Sequence, residues 1–166
     1  MPAFLYANLR QAIQTVRNKH PRVHDIAVGD ISAKTGGKLR RHKSHQSGRD
    51  VDLGLYFENQ SKKGPKAFIS GLRHPIDMQA NWTLLKALVS TDRKSSKASY
   101  VFLDYRLQQK LYQWAKKHGV KQKRLDWMFQ YPRGRRAMRG IIRHEPGHAN
   151  HYHIRFKCPV EDKDCI

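Results

Sequence analysis

Residues Arg49–Phe57 alternate with a two-residue period, so that Asp50 and Asp52 fall on one side while Val51, Leu53 and Leu55 fall on the other. A half-buried strand has this pattern, and it constrains the fold to a sheet with one covered face and one face carrying carboxylates. His151–Lys157 repeats the period: Tyr152, Ile154 and Phe156 point inward, and His151, His153 and Arg155 point outward. Further strands are expected at His24–Ser32, ended by the turn-forming Lys34-Thr35-Gly36-Gly37, and at the β-branched and aromatic Ser99–Leu103. The three-to-four-residue spacing of Leu5, Leu9, Ile13 and Val16 predicts a helix over Pro2–Lys19. A second helix is predicted over Gln79–Ser90, with Trp82, Leu85, Leu88 and Val89 on its buried side. A third runs over Arg106–His118, with Leu107, Leu111 and Trp114 on one stripe and Gly119 placed to cap it.

The segments between these elements read as loops. Lys34–Gly37 carries paired glycines, Lys38–Gly48 is basic and contains histidine, and Ser61–Pro65 is a Lys/Gly/Pro turn. Tyr131–Gly147, with three glycines and five arginines, reads as an irregular basic loop. Strands and helices mixed without regular βαβ alternation predict an α+β fold: a small, mainly antiparallel central sheet with flanking helices. The 166 residues contain no repeat and no linker long enough to divide them, so residues 1–166 are expected to form a single domain. Trp82, Trp114 and Trp127 lie at helical spacing with other apolar residues and are expected in the core.

With 39% of residues apolar, the chain can bury a core despite its charge. No apolar run approaches the roughly 18–20 residues of a membrane span. Met1–Asn18 is amphipathic and lacks the compact apolar centre of a signal peptide, so the leader of an exported form is expected to have been removed already. Lys and Arg number 33 against 13 Asp and Glu, a formal charge of +20 that favours a polyanionic partner. Nucleic acid, bacterial cell wall and anionic membrane surfaces all satisfy that requirement. Cys158 and Cys165 flank a short polar loop containing Pro159, a placement that suits one small closing disulfide and with it an oxidising compartment.

Ten histidines are present, and His144, His148, His151 and His153 crowd into residues 144–153. Strand alternation sets His151 and His153 side by side, about 6.5–7 Å apart at Cα. That suits joint metal binding, or one ligand with a base beside it. Imidazole and carboxylate also occur together in His45-Gln46-Ser47-Gly48-Arg49-Asp50-Val51-Asp52, where Gly48 allows a tight turn between the loop histidine and the strand. Two imidazoles and one carboxylate with an open fourth position describe catalytic zinc, which lowers the pKa of bound water to around 7. The residues alone leave open whether His151 or His153 is the ligand, and whether Asp50 or Asp52 is.

Ser44-His45-Gln46-x-Gly48-x-Asp50-Val51-Asp52, together with His148-x-x-His151-x-His153-x-Arg155 and Cys158-Pro159, resembles the penicillin-insensitive murein endopeptidases. These belong with lysostaphin-like and D-Ala-D-Ala metallopeptidases, which share a zinc site and fold with hedgehog-type domains. The resemblance runs from about Gly36 to Cys165, and the first thirty or so residues add little. It implies one Zn²⁺ per chain held by His45, Asp52 and His153, with His151 as general base and His148 helping to stabilise the tetrahedral intermediate. Asp50 is then a residue that orients a ligand or pairs with a nearby arginine, and His42 and His144 are surface residues. The implied substrate is peptidoglycan, cut in its peptide cross-links at the D-alanyl-meso-diaminopimelyl bond, and the implied location is periplasmic or secreted. Better-known members are longer and carry more cysteines, so loops around the cleft are expected to differ.

Two other functions are compatible with the sequence. A D,D- or L,D-carboxypeptidase acting on stem peptides would use Arg155 or an arginine of the Arg133–Arg143 loop to hold a terminal carboxylate. A nucleic-acid-binding protein or metal-dependent nuclease would need several exposed aromatics for base stacking, whereas the tryptophans here have core spacing. Nucleic acid is therefore not the expected partner.

Overall fold

The computed structural model describes residues 3–31, 37, 45, 48–89 and 98–158. The turn at 34–37, most of the loop 38–48 with His42, and Pro159 and Cys165 lie outside them, except Gly37, His45 and Gly48. The bridge expected between Cys158 and Cys165 therefore also falls outside the described residues.

Among the described residues the elements are α1 (Ala3–Lys19), β1 (Val28–Ile31), β2 (Asp50–Gly54), α2 (Met78–Leu88), β3 (Ala98–Phe102), α3 (Tyr105–Lys117), α4 (Gln122–Met128), β4 (Ile142–Arg143) and β5 (His151–Phe156). The strands form one sheet in the order β1-β2-β5-β3-β4, antiparallel except for β3 beside β4. This is the expected small α+β fold. The two strongly alternating segments, β2 and β5, are neighbours at its centre.

One face of the sheet is covered by the helices. Leu5, Leu9, Ala12 and Val16 of α1 are buried, and α1 packs on α2. Asp77 starts α2 by accepting the Ala80 N–H at 2.9 Å, and Asp104 starts α3 by accepting the Arg106 N–H at the same distance, both ordinary N-caps. Val51, Leu53, Val101, Ile142, Tyr152 and Ile154 form the sheet's contribution to the core. Buried Asn81 of α2 ties the helix layer to the sheet. Its Oδ1 accepts the Tyr56 N–H and the Tyr152 hydroxyl, while its Nδ2 donates to the carbonyls of Tyr56 and Asp77. Removing that amide would leave several buried polar groups unsatisfied, at roughly 1–3 kcal/mol each.

The structure departs from the sequence reading in several places. The stretch 131–147 is not irregular throughout: Ile142–Arg143 adds a short parallel strand, and Gln130 organises the turn before it by donating to the carbonyls of Arg135 and Ala137 and accepting the His144 N–H. Helix α4 has no counterpart in the sequence reading. Of the tryptophans, only Trp82 is buried; Trp114 and Trp127 lie at the edge of the core, against His118 and under Arg124.

Histidines remote from β5 also find structural partners. Buried His24 donates from Nδ1 to the Asp25 carbonyl and accepts the Phe57 N–H at Nε2. His144, expected as a surface residue, is half-buried and accepts the Tyr105 N–H at Nδ1.

Candidate metal centre and catalytic face

Residues opposite one another in β2 and β5 are Asp50 and Arg155, Asp52 and His153, and Gly54 and His151. Opposed residues share a face, so the sheet turns both carboxylates, both imidazoles and the guanidinium away from the helix layer. His45 comes to the same place from the preceding loop. Gly48, at φ +77°, makes the turn that brings it there, a conformation other residues adopt only with strain.

Ligand atoms of His45, Asp52 and His153 all lie within 4.8 Å of one another. His45 Nε2 is 3.3 Å from Asp52 Oδ1, and His153 Nδ1 is 3.6 Å from the same oxygen. Donors held at 2.0–2.1 Å around a tetrahedral ion are separated by about 3.3–3.4 Å. The two separations from Asp52 are close to that value, and the donor set of two imidazoles and a carboxylate is one that zinc favours. This group could hold a metal ion.

Asp50 decides which nitrogen of His153 faces that point. Its Oδ1 lies 2.9 Å from His153 Nε2, and the Arg155 guanidinium donates to both carboxylate oxygens at 2.9 and 3.2 Å. An ionised carboxylate only accepts, so the proton is on Nε2 and the Nδ1 lone pair is directed toward Asp52. Asp50 is thus both an orienter and a salt-bridge partner. Asp50→Asn is expected to weaken metal binding at this group by about 10–100-fold while the fold persists, because the His153 tautomer is no longer enforced; competition with a chromogenic chelator measures this.

Burial alone would raise both carboxyls. For Asp50, hydrogen bonds from His153 and Arg155 and the charge of Arg155 outweigh it; for Asp52, the His45 hydrogen bond and the charges of His151, His45 and His153 do so. Both groups end below their ordinary value of 3.8. The folded protein thus binds fewer protons than the unfolded chain, and the resulting stability is complete above that value and lost as the pH falls through the lowered ones. Urea unfolding of metal-free protein is expected to give a lower midpoint at pH 3 than at pH 5.

His151 stands beside this group, with Nε2 3.7 Å from Asp52 Oδ1 and Nδ1 2.7 Å from Asn150 Oδ1. The amide oxygen only accepts, which places the His151 proton on Nδ1 and leaves Nε2 able to take another. Phe68 stacks on the ring at 5.0 Å and 14°. It can approach because residue 29 is glycine: a Cβ there would lie 2.6 Å from the Phe68 ring. Side-chain exposure rises from 0% at His45 through 5% at Asp52 and 8% at His153 to 15% at His151. The three candidate donors are therefore deep, and His151 lies nearer the surface.

His148 packs 4.7 Å from His151, and its Nδ1–H donates to the Pro146 carbonyl. Burial holds the ring below the ordinary histidine range against the opposing effect of that hydrogen bond, so at neutral pH its Nε2 is an acceptor. It can donate to an oxyanion only after gaining a proton.

All five predicted site residues therefore lie together. Phe68 and Asn150 were not anticipated. Asn150 is adjacent in sequence to His151 but carries no pattern, and Phe68 comes from a distant loop with no periodicity to place it.

The sequence profile of the penicillin-insensitive murein endopeptidases matches residues 3–166. The match includes α1, so the likeness extends beyond the Gly36–Cys165 stretch carried by the motifs. No curated protein matches the chain.

Proposed function

Because the chain belongs to the penicillin-insensitive murein endopeptidase family, a peptidase family whose substrate is the peptidoglycan of the bacterial wall outside the cytoplasm, we propose that it is a one-zinc hydrolase of peptidoglycan cross-links. The bond is the D-alanyl-meso-diaminopimelyl amide, and residues 1–166 act as one catalytic domain in the periplasm or after secretion. No described helix is long and apolar enough to cross a membrane.

His45 Nε2, Asp52 and His153 Nδ1 would hold a zinc ion, which would supply Lewis acidity toward the scissile carbonyl and lower the pKa of a water at the site. His151 Nε2 takes the proton of the water as it attacks and returns it to the leaving amine, while Asn150 keeps the other proton on Nδ1 and fixes the ring. His148, after taking a proton from solvent at Nε2, steadies the oxygen of the tetrahedral carbon. Asp50 and Arg155 keep His153 in its ligand tautomer and do not touch substrate.

The observation that carries this reading is the convergence of His45, Asp52 and His153 within 4.8 Å, with His151 Nε2 3.7 Å from the same carboxylate oxygen. The charge of +20 adds affinity for wall carboxylates, and that affinity weakens with added salt. The nucleic-acid reading loses ground, because Trp82 is buried and neither Trp114 nor Trp127 is freely exposed. Digestion of purified sacculi followed by muropeptide chromatography tests the proposal. Cross-linked dimers should disappear as monomers accumulate, with no change in the His153→Ala control. Shortened stems with dimers intact would indicate a carboxypeptidase instead.

A further inference from the structure

The arginines around the catalytic face are not equivalent. Arg155 is paired with Asp50, Arg106 with Asp104 and Arg133 with Asp126. Arg143 has no ion-pair partner among the described residues. Yet it is held in place: Nε donates to the Gly140 carbonyl at 2.9 Å, Nη2 donates to the Met138 carbonyl at 3.1 Å, and the guanidinium lies 4.3 Å from the centroid of the Tyr100 ring. Two of its five N–H donors are committed, and the rest of the fork remains available.

Its place in the sheet connects it to the metal centre. Arg143 of β4 lies opposite Phe102 of β3, and Phe102 lies opposite His153 of β5. All three therefore share the catalytic face, while their neighbours Ile142, Val101 and Ile154 are buried beneath. Tyr100 and Phe102 stack at 6.0 Å, and Phe102 meets His153 edge-on at 5.4 Å, so an aromatic floor runs from the centre to the guanidinium. Two strand spacings separate Arg143 from His153, roughly 10 Å, or about three residues of extended peptide. Arg136 and Arg139, both exposed in the same turn, add to the positive field.

We infer that Arg143, seated on Tyr100, is a specificity-determining subsite that takes a carboxylate of the stem peptide about three residue lengths from the scissile amide. The inference rests on the murein-endopeptidase reading for its substrate class. An immobilised planar cation loses little further freedom when it forms a bidentate pair with a carboxylate, the geometry for which arginine is best suited. Arg155 cannot take this part, because Asp50 already occupies its fork.

The test compares a cross-linked muropeptide dimer bearing free stem carboxylates with the same dimer fully amidated. For the zinc-loaded wild type, kcat/KM is expected to favour the free-carboxylate dimer by about 10–100-fold. In Arg143→Gln the preference should fall to within about threefold. Arg143→Lys, which keeps the charge without the fork, should fall between them, and thermal melting checks that each variant is folded. A wild type indifferent to amidation, or a preference that survives in Arg143→Gln, would overturn the inference. Should neither dimer be cleaved, the endopeptidase reading fails by itself, and calorimetric binding of the same two dimers still decides the subsite: tighter binding of the free-carboxylate dimer that is lost in Arg143→Gln supports it, and equal binding overturns it.

Discussion

Replacing His153 by alanine is expected to abolish zinc binding and lower cross-link hydrolysis by about 10³–10⁵-fold, with Asp52→Ala giving the same result. The size follows from what a bound zinc contributes, several kcal/mol of charge stabilisation together with a water acidified to near neutrality, where each 1.4 kcal/mol is a factor of ten in rate. His153 is the more informative position because two interactions meet on one ring. Its Nδ1 faces Asp52 Oδ1 at 3.6 Å and its Nε2 is held by Asp50 at 2.9 Å. Alanine removes a proposed ligand and also leaves the buried Asp50–Arg155 pair without its third member. Asp50→Asn keeps the ligand and loses only its orientation, so its defect should be repaired by excess zinc. The His153→Ala defect should not be.

His151→Ala carries the second large effect, with kcat expected to fall about 10²–10⁴-fold while zinc content stays at the wild-type level. The separation of the two effects follows from geometry. His151 does not belong to the mutually close donor set of His45, Asp52 and His153, and its own hydrogen bond goes to Asn150. An enzyme that keeps its metal yet loses turnover has lost proton transfer rather than Lewis acidity. If zinc content fell together with activity, His151 would be a ligand, and the assignment of base and ligand on β5 would have to be exchanged.

The sequence made the two central strands legible because their alternation is strict and their outward residues are chemically unusual. Val51 and Leu53 on one side and Asp50 and Asp52 on the other mark a strand with an apolar and a carboxylate face, but the half-buried strand this suggested is buried on both faces, because His45, His153 and Arg155 cover the carboxylates. Period alone places residues on a face without giving them depth, which is why Asp50 and Asp52 could not be separated by it. The register does separate them, since Asp52 lies opposite His153 and faces His45, while Asp50 lies opposite Arg155 and is neutralised by it. Helix α4 and strand β4 escaped notice for other reasons. The helix has seven residues, only two of them buried, and no side-chain N-cap; the strand has two residues, too few for any period. The parts of the site drawn from loops were the least legible, because Phe68 reaches His151 through a contact that depends on an absent Cβ at Gly29, and no local pattern encodes such a contact.

Metal stoichiometry measured alongside muropeptide release, on the same preparations of wild type, His45→Ala, Asp52→Ala and His153→Ala, tests the account most directly. It predicts close to one zinc per wild-type chain with loss of cross-linked dimers, and neither zinc nor dimer cleavage in any of the three folded variants. Dimer cleavage by protein stripped of metal, or zinc retained undiminished by all three variants, would contradict it.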